Sequence, residues 1–151
     1  MFLPDIQHIA DLVKHIFSKE PLSIERVPEG ISTYVYCVAF QHDTFYLRVL
    51  PEEGASFAPE VAVHTHLCGM QVKVPEVIYY EHYNEMLQRS VMVTTEIKGR
   101  PVSKSHNLDE TTLHTVLIEA GTDLARINKM RVDGFGWIAR EQDDMAIQSI
   151  R

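Results

Sequence analysis

The chain has 151 residues, 45% of them hydrophobic and 23% charged, which suits one soluble globular domain and excludes collagen, a coiled-coil rod and an intrinsically disordered chain. Its formal net charge of −7 is the opposite of the basic excess that nucleic-acid binders carry. No apolar run approaches the roughly 20 residues of a membrane span. Asp5, Asp11 and Lys14 interrupt any signal-peptide core, so no nucleic acid, no membrane and a cytoplasmic location are expected.

Residues 4–18 open with Pro4 and carry Ile6, Ile9, Val13 and Ile16 at spacings of three and four, one apolar stripe on a helix closed by Pro21. Three runs rich in β-branched and aromatic residues follow: Leu22–Val27, Tyr34–Phe40 and Thr44–Leu50. Gln41, His42 and Asp43 suit a tight hairpin between the last two. Between the first two lies Pro28-Glu29-Gly30-Ile31-Ser32-Thr33, a turn of small polar residues. Pro51-Glu52-Glu53-Gly54 ends the third strand. A short helix is expected over 56–67, with Ser56 as N-cap and Pro59 in its first turn. Glu60, Val63, His64 and Leu67 share one of its sides, and Cys68 and Gly69 end it.

Val74–Tyr80 and Leu87–Thr95 read as two further strands, joined near Tyr83-Asn84-Glu85. The strongest helical pattern spans 108–130. Asn107 and Glu110 have capping-box spacing, and Leu113, Leu117, Ala120, Leu124 and Ile127 alternate four and three apart. Asp133-Gly134-Phe135-Gly136-Trp137 stops this helix. Five strands joined mostly by short turns, with helices before, between and after them, predict an α+β fold on an antiparallel sheet. Cys37 and Cys68 have no metal or redox spacing and are expected as reduced, buried thiols. Among eight histidines, His64 and His66 are two apart on a helix and cannot face one ion together, so no metal site is expected from them. No Ser-His-Asp or Cys-His arrangement has supporting context, and no catalytic residue is assigned.

The order of these pieces is more informative than any one of them: strand, small-residue turn, strand, strand with one cation, helix with one acid, two strands, connector. In that order Glu29-Gly30-Ile31-Ser32-Thr33-Tyr34-Val35-Tyr36, Phe45-Tyr46-Leu47-Arg48-Val49, Val74-Pro75-Glu76-Val77 and Val91-Met92-Val93-Thr94-Thr95-Glu96-Ile97-Lys98-Gly99-Arg100-Pro101 resemble the nucleotide-binding lobe of the aminoglycoside phosphotransferase and choline kinase-like family. Leu124-Ala125-Arg126-Ile127-Asn128 and Gly134-Phe135-Gly136 extend the resemblance, which covers about residues 22–138. It implies a protein-kinase-like lobe: a five-stranded antiparallel sheet with flanking helices and a C-terminal helix. Residues 1–103 would form that lobe, and 104–151 a helical extension at the start of a second lobe. The implied cofactors are ATP or GTP with magnesium, and the implied partner is a small-molecule acceptor.

Each candidate residue has a chemical reason and a plainer alternative. Gly30 lets the backbone bend close to a phosphate and Ser32 offers a hydroxyl and an N–H there, or the pair belongs to an ordinary turn. Alternation places Tyr46, Arg48 and Leu50 on one face of their strand and Phe45, Leu47 and Val49 on the other. A cation on an apolar strand is unfavourable unless paired. The family resemblance makes Arg48 the phosphate contact and Glu60 the carboxylate that orients it. An edge-strand Arg48 pointing to water, and Glu52 or Glu53 as rival partners, are the alternatives. Tyr46 would stack on the purine by the same resemblance, or serve as a sheet tyrosine. The resemblance also makes 94–97 the hinge along the base edge, through the Thr95 carbonyl and the Ile97 amide, with Thr94 behind. A loop without a ligand is the alternative.

The family's His-Gly-Asp catalytic segment, its following asparagine and its metal-binding aspartate have no counterpart, and Asn128 replaces its usual histidine after the Leu-Ala pair. The expectation is a truncated domain, inactive alone, whose magnesium ligands would lie in an absent half. A non-catalytic nucleotide-binding module or an α+β interaction module is the alternative. The apolar stripe on 108–130 would be covered by a second copy, giving a homodimer, or would fold back on its own sheet.

Overall fold

The computed structural model describes residues 3–28, 32–105 and 107–131. The expected turn at Gly30 and the expected stop at Gly134-Phe135-Gly136 lie outside them.

Helix α1 spans Ile6–Phe17. Asp5 caps it by accepting from the Gln7 amide at 2.8 Å, so the helix begins two residues later than expected. Ser18, in the left-handed region at φ 52°, ends it before Pro21 is reached. Ile9, Leu12 and Val13 are buried, with Ile16 and Phe17 packed alongside. Ile6 was expected in this stripe but is 55% exposed in the first turn, and Leu12 completes the stripe instead.

The strands are β1 Ser23–Val27, β2 Tyr34–Ala39, β3 Thr44–Val49, β4 Val77–Asn84 and β5 Arg89–Thr95. They form one sheet in the order β1-β2-β3-β5-β4, and every neighbouring pair is antiparallel. The sheet of five antiparallel strands is therefore as expected. The fourth strand differs most. It starts at Val77 and runs on to Asn84, whose side-chain oxygen accepts from the Leu87 amide at 3.0 Å. That side-chain bond makes the turn, so the reversal falls after Asn84 and not around it.

The sheet buries both faces. On one, Tyr36, Val38, Leu47, Val49, Val91 and Val93 pack with α1. On the other, Leu50 and Met92 pack with Ala55 and Phe57, flanked by Val61, Val77 and Tyr80. This second face carries α2, Ala58–Gly69. Phe57 occupies its N-cap position, and Ser56 still serves it, because the Ser56 hydroxyl oxygen accepts from the Ala58 amide at 3.0 Å. Pro59 sits in the first turn, where its missing N–H is harmless. Cys37 and Cys68 are free thiols, half-buried and not fully enclosed as expected.

A short 3₁₀ turn, Val102–Lys104, leads from the sheet to α3, Glu110–Ile127. The cap is Asp109, which accepts from the Thr112 amide at 2.7 Å and the Thr112 hydroxyl at 2.8 Å. Asn107, expected in that role, takes a left-handed φ of 64° one residue ahead of Leu108. Two polar links join α3 to the segment after α2. Lys73 pairs with Glu119 at 2.6 Å, and Arg126 donates to the Gln71 carbonyl at 2.9 Å and pairs with Asp123 at 3.0 Å. No residue of α3 is buried among the described residues, which therefore give the fold-back alternative no apolar packing.

Candidate functional site

Strand β3 lies between β2 and β5, which excludes an edge-strand Arg48. Arg48 stands opposite Val35 on one side and Met92 on the other, on the face that carries α2. Its Nη1 donates to Glu60 Oε2 at 2.8 Å, and its guanidinium carbon lies 5.0 Å from the centre of the Phe57 ring. The pairing expected from the sequence is therefore present. Glu52 and Glu53 sit exposed in the turn before α2. The Arg48 and Glu60 side chains keep 24% and 27% of their surface exposed, so the pair is oriented without being sealed. A guanidinium held by one carboxylate and one ring face is fixed in direction, and its other donors can meet an anion.

Tyr46 is half-buried on the same face, opposite Cys37 and Thr94. Burial pushes its phenol pKa up, and the Cys37 thiol beside it adds to the shift. Thr94 is buried next to it. Thr95 ends β5, donates its amide to the Glu76 carbonyl at 2.9 Å and accepts from the Glu76 amide through its hydroxyl at 2.9 Å. Ile97 is exposed in the irregular segment beyond, which bends at Gly99 with φ 140°, a conformation that favours glycine. Ser32 is exposed in the bend before β2.

These residues are ordered along the strands. The turn holding Ser32 lies at the Val35–Arg48 end of β2 and β3, while Tyr46 sits two residues away toward the end of β5 at Thr94, Thr95 and Ile97. Two residues of strand span about 7 Å. One end of the face thus offers a cation, with the exposed Ser32 in the adjoining bend, and the other offers an aromatic ring and a strand terminus. Among the described residues, no group of three or more His, Cys, Asp or Glu side chains is placed to hold a metal ion.

The sequence reading missed Phe57, which lies under Arg48, and the hydroxyl cluster behind it. Ser56 and Tyr80 share a hydrogen bond of 2.8 Å, the Ser90 hydroxyl donates to the Glu81 carbonyl at 2.9 Å, and it accepts from the Phe57 amide at 3.1 Å. The one signal for this anchor is the apolar Phe57 itself, at the start of the helix expected over 56–67.

Comparison with solved structures places the fold. A thermostable mutant of aminoglycoside phosphotransferase APH(4)-Ia, in its apo form, aligns with a TM-score of 0.65 at 18% identity, over 87% of this chain and 44% of that one. The GDP and kanamycin complex of APH(2")-IIIa aligns at 0.64 and 14% identity, over 82% and 42%. A mutant of APH(4)-Ia in ternary complex with ADP and hygromycin B aligns at 0.59 and 17%, over 80% and 39%. The chain spans about two fifths of the length of these structures. At such identities the likeness is one of fold, the kinase-like fold of aminoglycoside phosphotransferases. Among proteins of curated function none matches significantly. The model of the phosphotransferase enzyme family matches residues 23–150, most of the chain and all five strands, and the chain belongs to that family.

Proposed function

We propose that this chain is the nucleotide-binding lobe of a small-molecule phosphotransferase, which moves the γ-phosphate of ATP or GTP to a substrate hydroxyl. The observation that carries the reading is the partly exposed Arg48–Glu60 pair on the sheet face that carries α2, about 7 Å of strand from Tyr46. Phosphoryl transfer needs phosphates held in place and their charge offset, and a carboxylate-oriented arginine supplies both. Ser32 adds a hydroxyl at the phosphate end, and Gly30, two positions earlier in the sequence, has no side chain to obstruct a phosphate. Tyr46 stacks on the base, Thr94 closes the pocket behind it, and the backbone of Thr95 and Ile97 meets the base edge. Similar folds that hold ADP or GDP support a nucleotide here, and those that hold hygromycin B or kanamycin support a polyhydroxylated acceptor.

Magnesium accompanies the nucleotide in this reading. The described residues offer no group of three or more His, Cys, Asp or Glu to hold it, so the reading assigns it no ligand among them. No His-Gly-Asp segment occurs in the chain, so these 151 residues bind nucleotide but do not turn it over. The test is calorimetry with ADP, GDP and adenosine. Both diphosphates should bind more tightly than adenosine, and Arg48→Ala should remove the difference. Equal binding of ADP and adenosine by the wild-type chain would overturn the phosphate assignment.

The lobe pairs with a second copy through α3 in the same reading. Its side facing the body carries Glu119, Asp123 and Arg126, and its stripe of Leu113, Leu117, Ala120, Leu124 and Ile127 lies about 110° around the helix from them. Leu117 and Leu124 are 61% and 58% exposed. Asp109 and Glu110 open the helix and Lys129 and Arg131 follow it, so an antiparallel pair crossing near Ala120 sets opposite charges side by side.

A further inference from the structure

We infer that Ser90 is a positioning residue for Arg48, acting through Phe57; the inference rests on the reading of Arg48 as a phosphate contact. Ser90 is a buried hydroxyl in the middle of an apolar layer, and it joins three elements. Its carbonyl accepts from the Leu50 amide at 3.1 Å, just past the end of β3. Its hydroxyl donates to the Glu81 carbonyl of β4 at 2.9 Å and accepts from the Phe57 amide at 3.1 Å. The Phe57 amide precedes α2 and has no carbonyl one turn back within that helix, so this hydroxyl is what satisfies it inside the fold.

Phe57 is fully buried, and it meets the Arg48 guanidinium with its own ring while the carboxylate that pairs with it follows three residues on. Its ring lies 5.0 Å from the guanidinium carbon, and Glu60, three residues on in the first turn of α2, takes Nη1 at 2.8 Å. A helix turn is stiff, so the height of the Phe57 amide above the sheet sets both contacts together. The Ser56–Tyr80 hydroxyl pair ties the same turn to β4 at a second point. Ser90 therefore links β5 to the direction in which Arg48 points.

The test reads Arg48 itself. In the nitrogen-15 spectrum of the arginine side chains, a guanidinium pinned by a carboxylate rotates slowly about its Cζ–Nη bonds. Slow rotation is expected for wild-type Arg48, with faster rotation in Glu60→Gln and, to a similar degree, in Ser90→Ala. Tyr80→Phe, which removes only the other tie, should leave the rotation nearly as in the wild type. Affinity for ADP relative to adenosine should fall on the order of tenfold in Ser90→Ala, and not at all when Ser90→Ala is added to Glu60→Gln. A Ser90→Ala chain that melts earlier but keeps slow Arg48 rotation would reduce Ser90 to a structural role and overturn the inference. Should that variant not fold, Ser90→Cys replaces it; rotation unchanged by the weaker sulfur acceptor overturns the inference equally. If the wild-type chain shows slow rotation, Ser90 controls it and ADP does not bind, the nucleotide reading falls and the Ser90–Arg48 link stands.

Discussion

Phe57→Ala probes how α2 is fastened to the sheet and, through it, how Arg48 is held. The ring is fully buried against Leu50 and Met92. A buried phenylalanine covers 150–250 Å², which at about 25 cal/mol per Å² corresponds to roughly 4–6 kcal/mol gross. Mutational loss of a core phenylalanine centres on about 3–5 kcal/mol, because alanine retains part of the contact and the cavity relaxes in part. Loss of the ring under the half-exposed Arg48 guanidinium adds about 0.5–1 kcal/mol. The expected destabilisation is about 3.5–6 kcal/mol, a large share of the roughly 5–15 kcal/mol that holds a domain together. Urea unfolding followed by circular dichroism measures it. Phe57→Leu keeps most of the apolar volume and should lose only about 1–2 kcal/mol, about half of it the ring contact with Arg48. An alanine variant within 1 kcal/mol of wild type, on the scale of ordinary surface changes, would refute the claim that this ring anchors α2.

Three further outcomes follow from the same geometry. Tyr46→Ala should weaken ADP binding by about 1–3 kcal/mol, the range of base–aromatic stacking, with the sheet intact by circular dichroism; equal calorimetric affinity would remove Tyr46 from the site. Sedimentation at micromolar concentration should show a dimer that Leu117→Lys with Leu124→Lys converts to monomer; a wild-type monomer whose α3 is protected from hydrogen exchange would rule the pairing out. The hydrogen bond from the Thr112 amide holds the Asp109 carboxyl below the usual carboxylate range. A depressed pKa in the folded state adds stability above the unfolded value and loses it as pH falls through the lowered one. Helicity should therefore drop with acidification past the ordinary carboxylate range, and Asp109→Ala should remove that part of the pH dependence; an unchanged profile would show that Asp109 does not cap α3.

Local pattern sufficed wherever one element's own periodicity carried the information. Alternation along Thr44–Val49 placed Tyr46 and Arg48 together, because strand side chains must alternate. The cation among apolar neighbours required a partner, but the choice of Glu60 over Glu52 and Glu53 came from the family resemblance, and the pair itself is a product of the fold. Element existence and order were legible for the same reason, since five strands and three helices follow from runs of suitable residues. Neighbours distant in the chain were decided by tertiary structure alone. That β5 enters between β3 and β4 places Met92 and Thr94 beside Arg48 and Tyr46, and no periodicity encodes which strand pairs with which. Competition between nearby polar side chains settled the helix starts: Asp5 and Asp109 cap because their oxygens reach amides two and three residues on. The turn after Asn84 was settled in the same way. Phe57 could be seen as apolar from the sequence, but its place beneath Arg48 required α2 to lie across the sheet. Ser90 reads as an ordinary strand serine until the fold brings the Phe57 amide, 33 positions away, to its hydroxyl. A buried polar group needs a partner, and only the closed fold determines which one it finds.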